Sequence, residues 1–427
     1  MAATLLFAPF VTLLVAGAPI FLALAVGAIA AIAYANLGMD VIPLTIHSAV
    51  AKYPLLAAPM FILTGSILER SGVAVRLLNL ASAIVGRGPG SLAAIAVVLA
   101  MLMGGISGSA VAIAATVAGI MTPSMVRAGY PRGFIATVVG AAAATDILVP
   151  PSISLIVYSV LVPAASVPAM FAAGIIPGTL AGIALIGPVY LVARKHGFGG
   201  EGGEPRPAFW PSLVDASWGL IAKVIILVGL RFGWFTPTEA GVIAVAYSLF
   251  VGLVVYRSIS LRDCYEMLVE SAELTAVIFT VIAFAGLFGW AMSTIGIVAP
   301  LVQWVAGLPI GEYGILAMVI LLMVAAGMFL EGMSTFLILL PVLTPIAQHF
   351  RWDPVWFGVI LTLKIAIGQF TPPLAVNLMV TARIAQVPVQ STFRWVWLLI
   401  ATMLLVLVAV IAFPDLALWL PRWLEIQ

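Results

Sequence analysis

The sequence predicts an all-α integral membrane protein, and two properties of the whole chain carry that prediction. Of the 427 residues, 64% are hydrophobic and only 8% are charged, whereas soluble domains carry about 25% charged residues. The mean hydropathy is +1.24, and apolar runs close to the roughly 20 residues that cross a bilayer core recur from end to end. A water-soluble protein of this length would expose far too much apolar surface, so a lipid bilayer is the expected surrounding.

Ten apolar segments are predicted to cross the membrane as helices. They cover about residues 5–17, 19–36, 54–68, 133–161, 171–193, 217–235, 238–256, 272–295, 355–381 and 395–417. The first two are either two passes or one bent helix, which leaves the side of the N-terminus open. The Gly- and Pro-rich stretch 194–216 predicts a cytoplasmic linker between a first half, 1–193, and a second half, 217–427.

Two further apolar stretches carry small and polar residues at their centres. Residues 90–126 contain the run from Gly104 to Ala110, Gly-Gly-Ile-Ser-Gly-Ser-Ala, and residues 313–345 contain the run from Gly327 to Thr335. Irregular backbone at membrane depth is tolerated only when it is buried in protein or lines a cavity. Each stretch therefore predicts a re-entrant helical hairpin, which enters and leaves on one side.

The distribution of Lys and Arg orients these segments, because loops rich in these residues face the cytoplasm. With residues 69–90 inside and the first hairpin returning to that side, twelve of the 18 cations are cytoplasmic and four are outer. The cytoplasmic set is Arg70, Arg76, Arg87, Arg127, Arg132, Arg194, Lys195, Arg206, Arg257, Arg262, Arg383 and Arg394; the outer set is Lys52, Arg231, Arg351 and Arg422. The other two, Lys223 and Lys364, lie within predicted spans.

The two halves repeat at a constant separation. Adding 222 to the positions of Thr122, Pro123, Pro150 and Pro151 gives Thr344, Pro345, Pro372 and Pro373, which are identical in type. Five predicted spans lie between the two hairpin units, and an odd number inverts the second unit relative to the first. Inverted repeats with broken helices near the midplane are the architecture of secondary transporters.

A double proline interrupts the span that follows each hairpin, at about 133–161 and 355–381. Proline removes a backbone donor and clashes with the preceding turn, so both helices should break there. Freed carbonyls together with hydroxyl, amide and carboxylate oxygens suit a hard cation such as Na⁺. Hairpin tips present free N–H groups and positive helix ends, which suit an anionic substrate.

Each tip is therefore predicted to pair with the break that follows it. The first pairing brings together Gly105, Ser107, Gly108 and Ser109 with Asp146, Pro150 and Ser152. The second brings together Gly327, Glu331, Gly332, Ser334 and Thr335 with Gly368, Gln369, Thr371 and Pro372. These are the candidate ion-binding residues, and the candidate substrate-binding residues are Ser107, Ser109, Glu331, Lys364 and Asn377.

Each of three charged side chains within the predicted membrane segments has two candidate roles. Carboxylates within membrane segments are costly, so Asp146 and Glu331 are candidates for ion or substrate coupling. The alternative for both is a structural hydrogen bond or ion pair. Lys364 either pairs with a carboxylate or contacts an anionic substrate. The small tip residues have an alternative as well, since Gly and Ser in membranes often mediate close helix packing.

Several classes of protein are excluded by what the sequence lacks. There is no Gly-rich Walker loop, so this chain does not hydrolyse ATP, and there is no Ser/His/Asp constellation at membrane depth. There is no metal-binding motif, so no metal is expected beyond Na⁺. The net charge is only +2. The cations form no stripe with aromatic residues, so contact with nucleic acid is not predicted. The chain is not predicted to be an enzyme.

Four motifs together resemble one family, the large membrane subunit of TRAP transporters (tripartite ATP-independent periplasmic transporters) within the broader ion-transporter superfamily. They are Gly104–Ala110, Pro150-Pro151-Ser152, Phe235-Thr-Pro-Thr-Glu-Ala240 and Gln369-Phe-Thr-Pro-Pro373. Their order and spacing cover residues 5 to 420. The resemblance implies a multi-pass protein of the bacterial inner membrane and an elevator mechanism, in which a transport domain of two hairpins and two broken helices slides against a scaffold.

The same resemblance implies Na⁺ coupling and organic-acid substrates, for example of the C4-dicarboxylate or sialic-acid type. It also implies two partners, a small four-helix membrane subunit and a periplasmic substrate-binding protein. No additional four-span block precedes residue 1, so the small subunit is expected to be a separate chain. Two alternatives stay open at this point: a standalone ion-coupled organic-anion carrier of the same broad fold, and, more remotely, a membrane-embedded enzyme or channel-like scaffold.

Overall fold

The computed structural model describes residues 1–199, 207–328 and 332–426, with the backbone alone at 332–334. Every regular element in these ranges is a helix, as predicted. The first half contains α1 (Ala2–Val15), α2 (Ile20–Tyr34), α3 (Val41–Val50), α4 (Ala57–Arg70), α5 (Val73–Val85), α6 (Ser91–Met103), α7 (Ala110–Arg127), α8 (Arg132–Ala143), α9 (Ile153–Leu161) and α10 (Val167–Lys195). The second half contains α11 (Phe209–Arg231), α12 (Pro237–Phe250), α13 (Leu261–Thr294), α14 (Val298–Ala306), α15 (Gly311–Gly327), α16 (Gly332–His349), α17 (Pro354–Gly368), α18 (Val376–Ile384), α19 (Phe393–Ala412) and α20 (Asp415–Trp423).

Six of these helical segments are long and apolar enough to cross a membrane, or up to eight if two bent pairs count as spans, within the described ranges. The bent pairs join α3 to α4 and α8 to α9, with angles of 60° and 42°. Several predicted spans are shorter helices. A helix of 14 residues such as α1 is only about 21 Å long, at about 1.5 Å per residue.

Four helices were not predicted from the sequence: α3, α5, α14 and α20. Helix α5 lies inside the 69–90 segment assigned to a cytoplasmic loop. Its buried residues Val73, Leu77 and Leu80 follow helical spacing, but Arg76 and Asn79 interrupt the apolar run. A search for long uninterrupted apolar stretches misses amphipathic helices of this length.

Some predicted boundaries are wrong for identifiable reasons. Helix α13 begins at Leu261, not at 272, because Ser260 and Asp263 form a capping box that starts it in a polar segment. Helix α11 begins at Phe209, inside the predicted linker 194–216. The predicted span 395–417 ends early, since α19 stops before Phe413 and Pro414 and α20 follows.

The N-terminal alternative is decided in favour of two helices. Helices α1 and α2 are separate, joined by a turn in which Gly17 has a φ of 80°. They pack against each other, so a single bent helix is wrong.

Helix boundaries in the two halves are separated by the number of residues seen in the sequence. Helix α7 spans 110–127 and α16 spans 332–349, a difference of 222 at both ends. Helices α8 and α17 begin at 132 and 354, again 222 apart. Helix α10 begins at Val167, and the 3-10 turn that leads into α19 begins at Val389.

Two groups of helices pack mainly among themselves, and contacts of α4 with α9, α5 with α6 and α13 with α16 join them. In one group, the hairpin α6–α7, the hairpin α15–α16 and the interrupted helices α8–α9 and α17–α18 contact one another. The second arm of each hairpin packs on the later piece of the other half's interrupted helix: α7 on α18, and α16 on α9. In the other group, α1, α2, α4, α12 and α13 pack together, and α5 lies between α6 and α11.

Candidate functional site

The first hairpin tip is a tight loop between α6 and α7. Gly105 and Gly108 have φ angles of 69° and 65°, in the left-handed region that favours glycine. Ser109 is the N-cap of α7, and its side-chain oxygen accepts a hydrogen bond from the backbone N–H of Ala112 at 3.4 Å. The hydroxyl of Ser109, a candidate ion ligand, thus also has a local capping role.

The first tip contacts the break between α8 and α9, as the predicted pairing requires. The backbone N–H of Gly105 donates to Oδ1 of Asp146 at 2.7 Å. A side chain on Gly105 would overlap the carbonyl of Pro150, so glycine is what allows the two backbones to touch. Ser152 lies in the same break and donates from its hydroxyl to the Ile147 carbonyl at 2.6 Å. The structural hydrogen bond that was the alternative role of Asp146 is therefore present.

Lys223 on α11 reaches the same tip, and it was not among the predicted site residues. Its ammonium donates to the carbonyl of Leu102 at 2.7 Å and to the carbonyl of Gly104. The Lys223 and Asp146 charges lie close enough to interact electrostatically. A lysine inside an apolar span is a detectable signal in the sequence, but nothing local indicates which tip it meets.

A second unpredicted contact comes from Gly65 on α4. A side chain there would press on the carbonyls of Ile106 and Ser107, so the first tip lies directly against α4. Ser107 is 8% exposed. We refer to Gly105, Asp146, Pro150 and Lys223 as the first hairpin site.

The second hairpin also meets its break through glycines. A methyl group on Gly368 would lie 3.1 Å from the Cα of Gly327, and one on Gly327 would lie 2.8 Å from Nζ of Lys364. Lys364 is fully buried, and its Nζ makes no hydrogen bond within the described part of the chain. Its predicted pairing with a carboxylate is not seen there.

The break between α17 and α18 is held by polar side chains of its own. Asn377 donates from Nδ2 to the Gly140 carbonyl of α8 at 3.2 Å and to Oε1 of Gln369 at 3.4 Å. Its Oδ1 is buried and has no hydrogen-bond partner among the described residues. Thr371, 3% exposed, donates to the Ile367 carbonyl at 2.6 Å, and Pro372 follows it. We refer to Gly327, Lys364, Gly368 and Asn377 as the second hairpin site.

Part of the predicted second tip lies beyond the described structure. Glu331 is outside the described residues, Gly332 begins α16, and the side chain of Ser334 is not described. Thr335 is fully buried.

The two hairpin sites are neighbours, and they differ in charge. Helix α17, which carries Lys364, packs on the 3-10 turn Ala144–Leu148, which carries Asp146. The first site holds an internal pair of opposite charges. The second holds a buried cationic donor at Lys364 and a buried acceptor at Asn377 with no partners in the described residues. Buried polar groups normally have partners, so the second site has the chemistry to receive a polar or anionic ligand.

A separate surface cavity of about 290 Å³ lies away from both hairpin sites. Its walls come from the beginnings of α15 and α17 and from α20, and they include Glu312, Arg351, Trp352 and Arg422. Within the described ranges, no cluster of three or more His, Cys, Asp or Glu residues could hold a transition metal.

Comparison with known proteins gives one consistent result. A family model described as "Tripartite ATP-independent periplasmic transporter, DctM component" matches residues 7–416. The chain is 37% identical over 374 residues, 87% of each chain, to the C4-dicarboxylate TRAP transporter large permease protein DctM of Pseudomonas aeruginosa. It is 34% identical, over 96% of each chain, to the sialic acid TRAP transporter large permease protein SiaM of Vibrio cholerae. The Alcanivorax borkumensis YdaH transporter has a similar fold, with a TM-score of 0.62 over 88% of this chain and 89% of that one, at 16% identity.

Proposed function

The chain belongs to the DctM family of tripartite ATP-independent periplasmic transporters, and we propose that it imports an organic acid by coupling uptake to an inward Na⁺ gradient. As a member of this family it is a large permease subunit in the bacterial inner membrane and not an enzyme. The coupling ion, the substrate and the movement that carries it are the parts that we propose.

The observation that carries the proposal is the pairing of each hairpin tip with a helix break. Gly105 contacts Asp146 and Pro150, and Gly327 contacts Gly368. Helix ends that meet inside a membrane protein leave carbonyls and N–H groups facing one another, which is how secondary transporters build ion and substrate sites. Backbone and side-chain oxygens at both breaks are the hard ligands that suit Na⁺.

An inverted repeat accounts for how the two halves are related. The separation of 222 residues recurs in the boundaries of α7 and α16 and in the beginnings of α8 and α17. The reciprocal packing of α7 on α18 and of α16 on α9 is what a two-fold relation between the halves would produce. An inverted repeat supplies two pseudo-symmetric end states, one open to each side.

We assign the hairpins and interrupted helices to a transport domain, and α1, α2, α4, α12 and α13 to a scaffold. The division follows the two packing groups. Under an elevator mechanism the first group slides past the second and carries both hairpin sites across the membrane.

The substrate is an organic acid bound near Lys364. A fully buried ammonium with no partner among the described residues is costly, and a carboxylate is the ligand that would offset that cost. Asn377 lies in the adjacent break and offers a neutral polar contact. The names of relatives for C4-dicarboxylate and for sialic acid support a carboxylate as the substrate.

Two partner proteins complete the proposed system. One is a small four-helix membrane subunit, and the other is a periplasmic protein that delivers the substrate. The family to which the chain belongs is described as tripartite and periplasmic, which supports both.

The test is uptake into proteoliposomes that contain this chain and its small subunit. A purified binding protein loaded with a radiolabelled carboxylate is added outside, with an inward Na⁺ gradient or with Na⁺ equal on both sides. We expect uptake only with both the gradient and the binding protein. Gradient-driven uptake of free substrate without the binding protein would instead favour a standalone carrier. A proton gradient that fully replaced the Na⁺ gradient would refute the choice of ion.

A further inference from the structure

Lys223 donates hydrogen bonds to the C-terminal end of α6, the first helix of the first hairpin. The last carbonyls of an α-helix have no partner within the helix, and that end carries a partial negative charge. At the end of α6, the carbonyls of Leu102 and Gly104 both accept hydrogen bonds from the Lys223 ammonium. Lys223 comes from α11, about 120 residues later in the chain, so tertiary packing alone brings it there.

Asp146 completes the arrangement from the other side of the tip. It is 1% exposed, and it accepts the N–H of Gly105, the residue after Gly104. The ammonium and the carboxylate thus bond to opposite sides of one peptide group, at the Gly104 carbonyl and the Gly105 N–H, and they interact electrostatically. Two carbonyl oxygens and a nearby carboxylate are also the ligands that an alkali cation uses.

The described part of the second hairpin lacks this arrangement. The residue 222 positions after Asp146 is Gly368, which has no carboxylate. Lys364 approaches Gly327, but its Nζ donates to no described atom. The first site therefore has its charges balanced internally, whereas the Lys364 ammonium has no hydrogen-bond partner among the described residues.

We propose that Lys223 is a built-in cation of the first hairpin site. Its ammonium binds the carbonyl oxygens at the end of α6 and balances the charge of Asp146. It therefore lies where an exchangeable alkali cation would otherwise bind. The charge balance itself does not depend on transport. Its consequence, that the Leu102 and Gly104 carbonyls bind no exchangeable cation during a transport cycle, rests on the proposed function, in which Na⁺ binds at other oxygens of the tips and breaks.

The test uses thermal unfolding of the purified chain in detergent, which requires no transport. Each variant is measured in NaCl and in N-methyl-D-glucamine chloride at equal ionic strength. Lys223→Met keeps the length of the side chain without its charge, and Lys223→Ala also leaves space beside the two carbonyls. Asp146→Asn is combined with each, and Lys195→Met at the exposed end of α10 is the matched control.

Lys223→Met should lower the unfolding temperature by several degrees in both salts, because Asp146 loses its counter-charge. Adding Asp146→Asn should recover at least half of that loss, which a packing role for Lys223 would not produce. The unfolding temperature of Lys223→Ala should rise more between N-methyl-D-glucamine chloride and NaCl than that of the wild type does. Adding Asp146→Asn to Lys223→Ala should remove this extra rise. Lys195→Met should behave as the wild type does.

Two results would overturn the proposal. One is that Asp146→Asn recovers nothing in the Lys223→Met background while Lys223→Ala responds to Na⁺ as the wild type does. The other applies if the Lys223 variants do not accumulate in the membrane. If Lys223→Arg, which keeps the charge, and the double variant Asp146→Asn/Lys223→Met both fail to accumulate, then the shape of Lys223 matters and its charge does not. Loss of uptake in proteoliposomes bears on the proposed function, whereas these unfolding measurements bear on the charge pair.

Discussion

The backbone N–H of Gly105 donates a 2.7 Å hydrogen bond to Asp146, a residue 41 positions later in the chain. This bond ties the tip of the first hairpin to the helix break that follows it. It gives the buried carboxylate a structural role and still leaves its second oxygen for another ligand. Replacements at Asp146 that separate hydrogen bonding from charge are therefore informative.

Asp146→Asn should abolish uptake while the protein still accumulates in the membrane. The amide oxygen of Asn can accept the Gly105 N–H, so the tip stays in place, but the negative charge is gone. Asp146→Ala should in addition destabilise the chain by about 1–3 kcal/mol, because the Gly105 donor is then buried without a partner. Uptake and thermal unfolding of both variants provide the check. Normal transport by Asp146→Asn would remove Asp146 from the ion site.

Gly105→Ala should impair both folding and uptake. A non-glycine residue at its positive φ costs about 1–3 kcal/mol, and the added methyl group would overlap the Pro150 carbonyl. Gly119→Ala on α7 is the matched control, since a side chain there meets nothing within 4 Å and alanine favours a helix by about 0.5–1 kcal/mol over glycine. Unfolding temperatures should fall for the first and stay level or rise for the second. Equal behaviour of the two variants would contradict a close tip-to-break contact.

Ser109 allows the capping role to be separated from ion binding. Ser109→Ala should cost about 1 kcal/mol of stability through loss of the N-cap. Ser109→Asn keeps a capping oxygen and should unfold as the wild type does. If the hydroxyl also binds Na⁺, both variants will require more Na⁺ for half-maximal uptake. An unchanged Na⁺ dependence in Ser109→Asn would leave capping as the role of this residue, and Ser107→Ala then tests the other tip hydroxyl.

Lys364→Met should abolish uptake without destabilising the chain. Removing a buried ammonium that has no described partner relieves its desolvation cost, so the unfolding temperature should stay level or rise. Lys195→Met, on the exposed end of α10, should leave uptake unchanged. Measurements of substrate concentration dependence, with the loaded binding protein in excess, distinguish lost affinity from lost turnover. A large fall in the unfolding temperature of Lys364→Met would indicate a structural ion pair instead.

Glu331→Ala is expected to abolish uptake while the protein stays in the membrane. The expectation comes from the sequence, because carboxylates at membrane depth are costly to keep without a functional role. Glu331→Gln retains size and hydrogen bonding and separates charge from shape. Radiolabelled uptake and the amount of protein in the membrane are the readouts. Full activity in both variants would exclude Glu331 from ion and substrate coupling.

Much of the fold follows from local sequence patterns. The glycine-rich centre of residues 90–126 predicts the loop between α6 and α7, and the double proline at Pro150 predicts the break between α8 and α9. Both succeed because the effects are local: Pro removes a donor from the hydrogen bonds between residues four apart, and Gly adopts the positive φ that the turn between α6 and α7 requires. The amphipathic helix α5 escaped prediction because its apolar residues are spaced around polar ones and form no continuous run.

The charge partners, by contrast, depend on the tertiary structure. The sequence identified Lys223 and Lys364 as cations inside spans, but it did not indicate that Lys223 meets Gly104 while Lys364 finds no described partner. The close approach of Gly65 to the first tip was equally hidden. A local pattern determines whether a segment is helical, because the required bonds lie within it. Which buried charge meets which carbonyl depends on how helices more than a hundred residues apart are rotated and packed against each other.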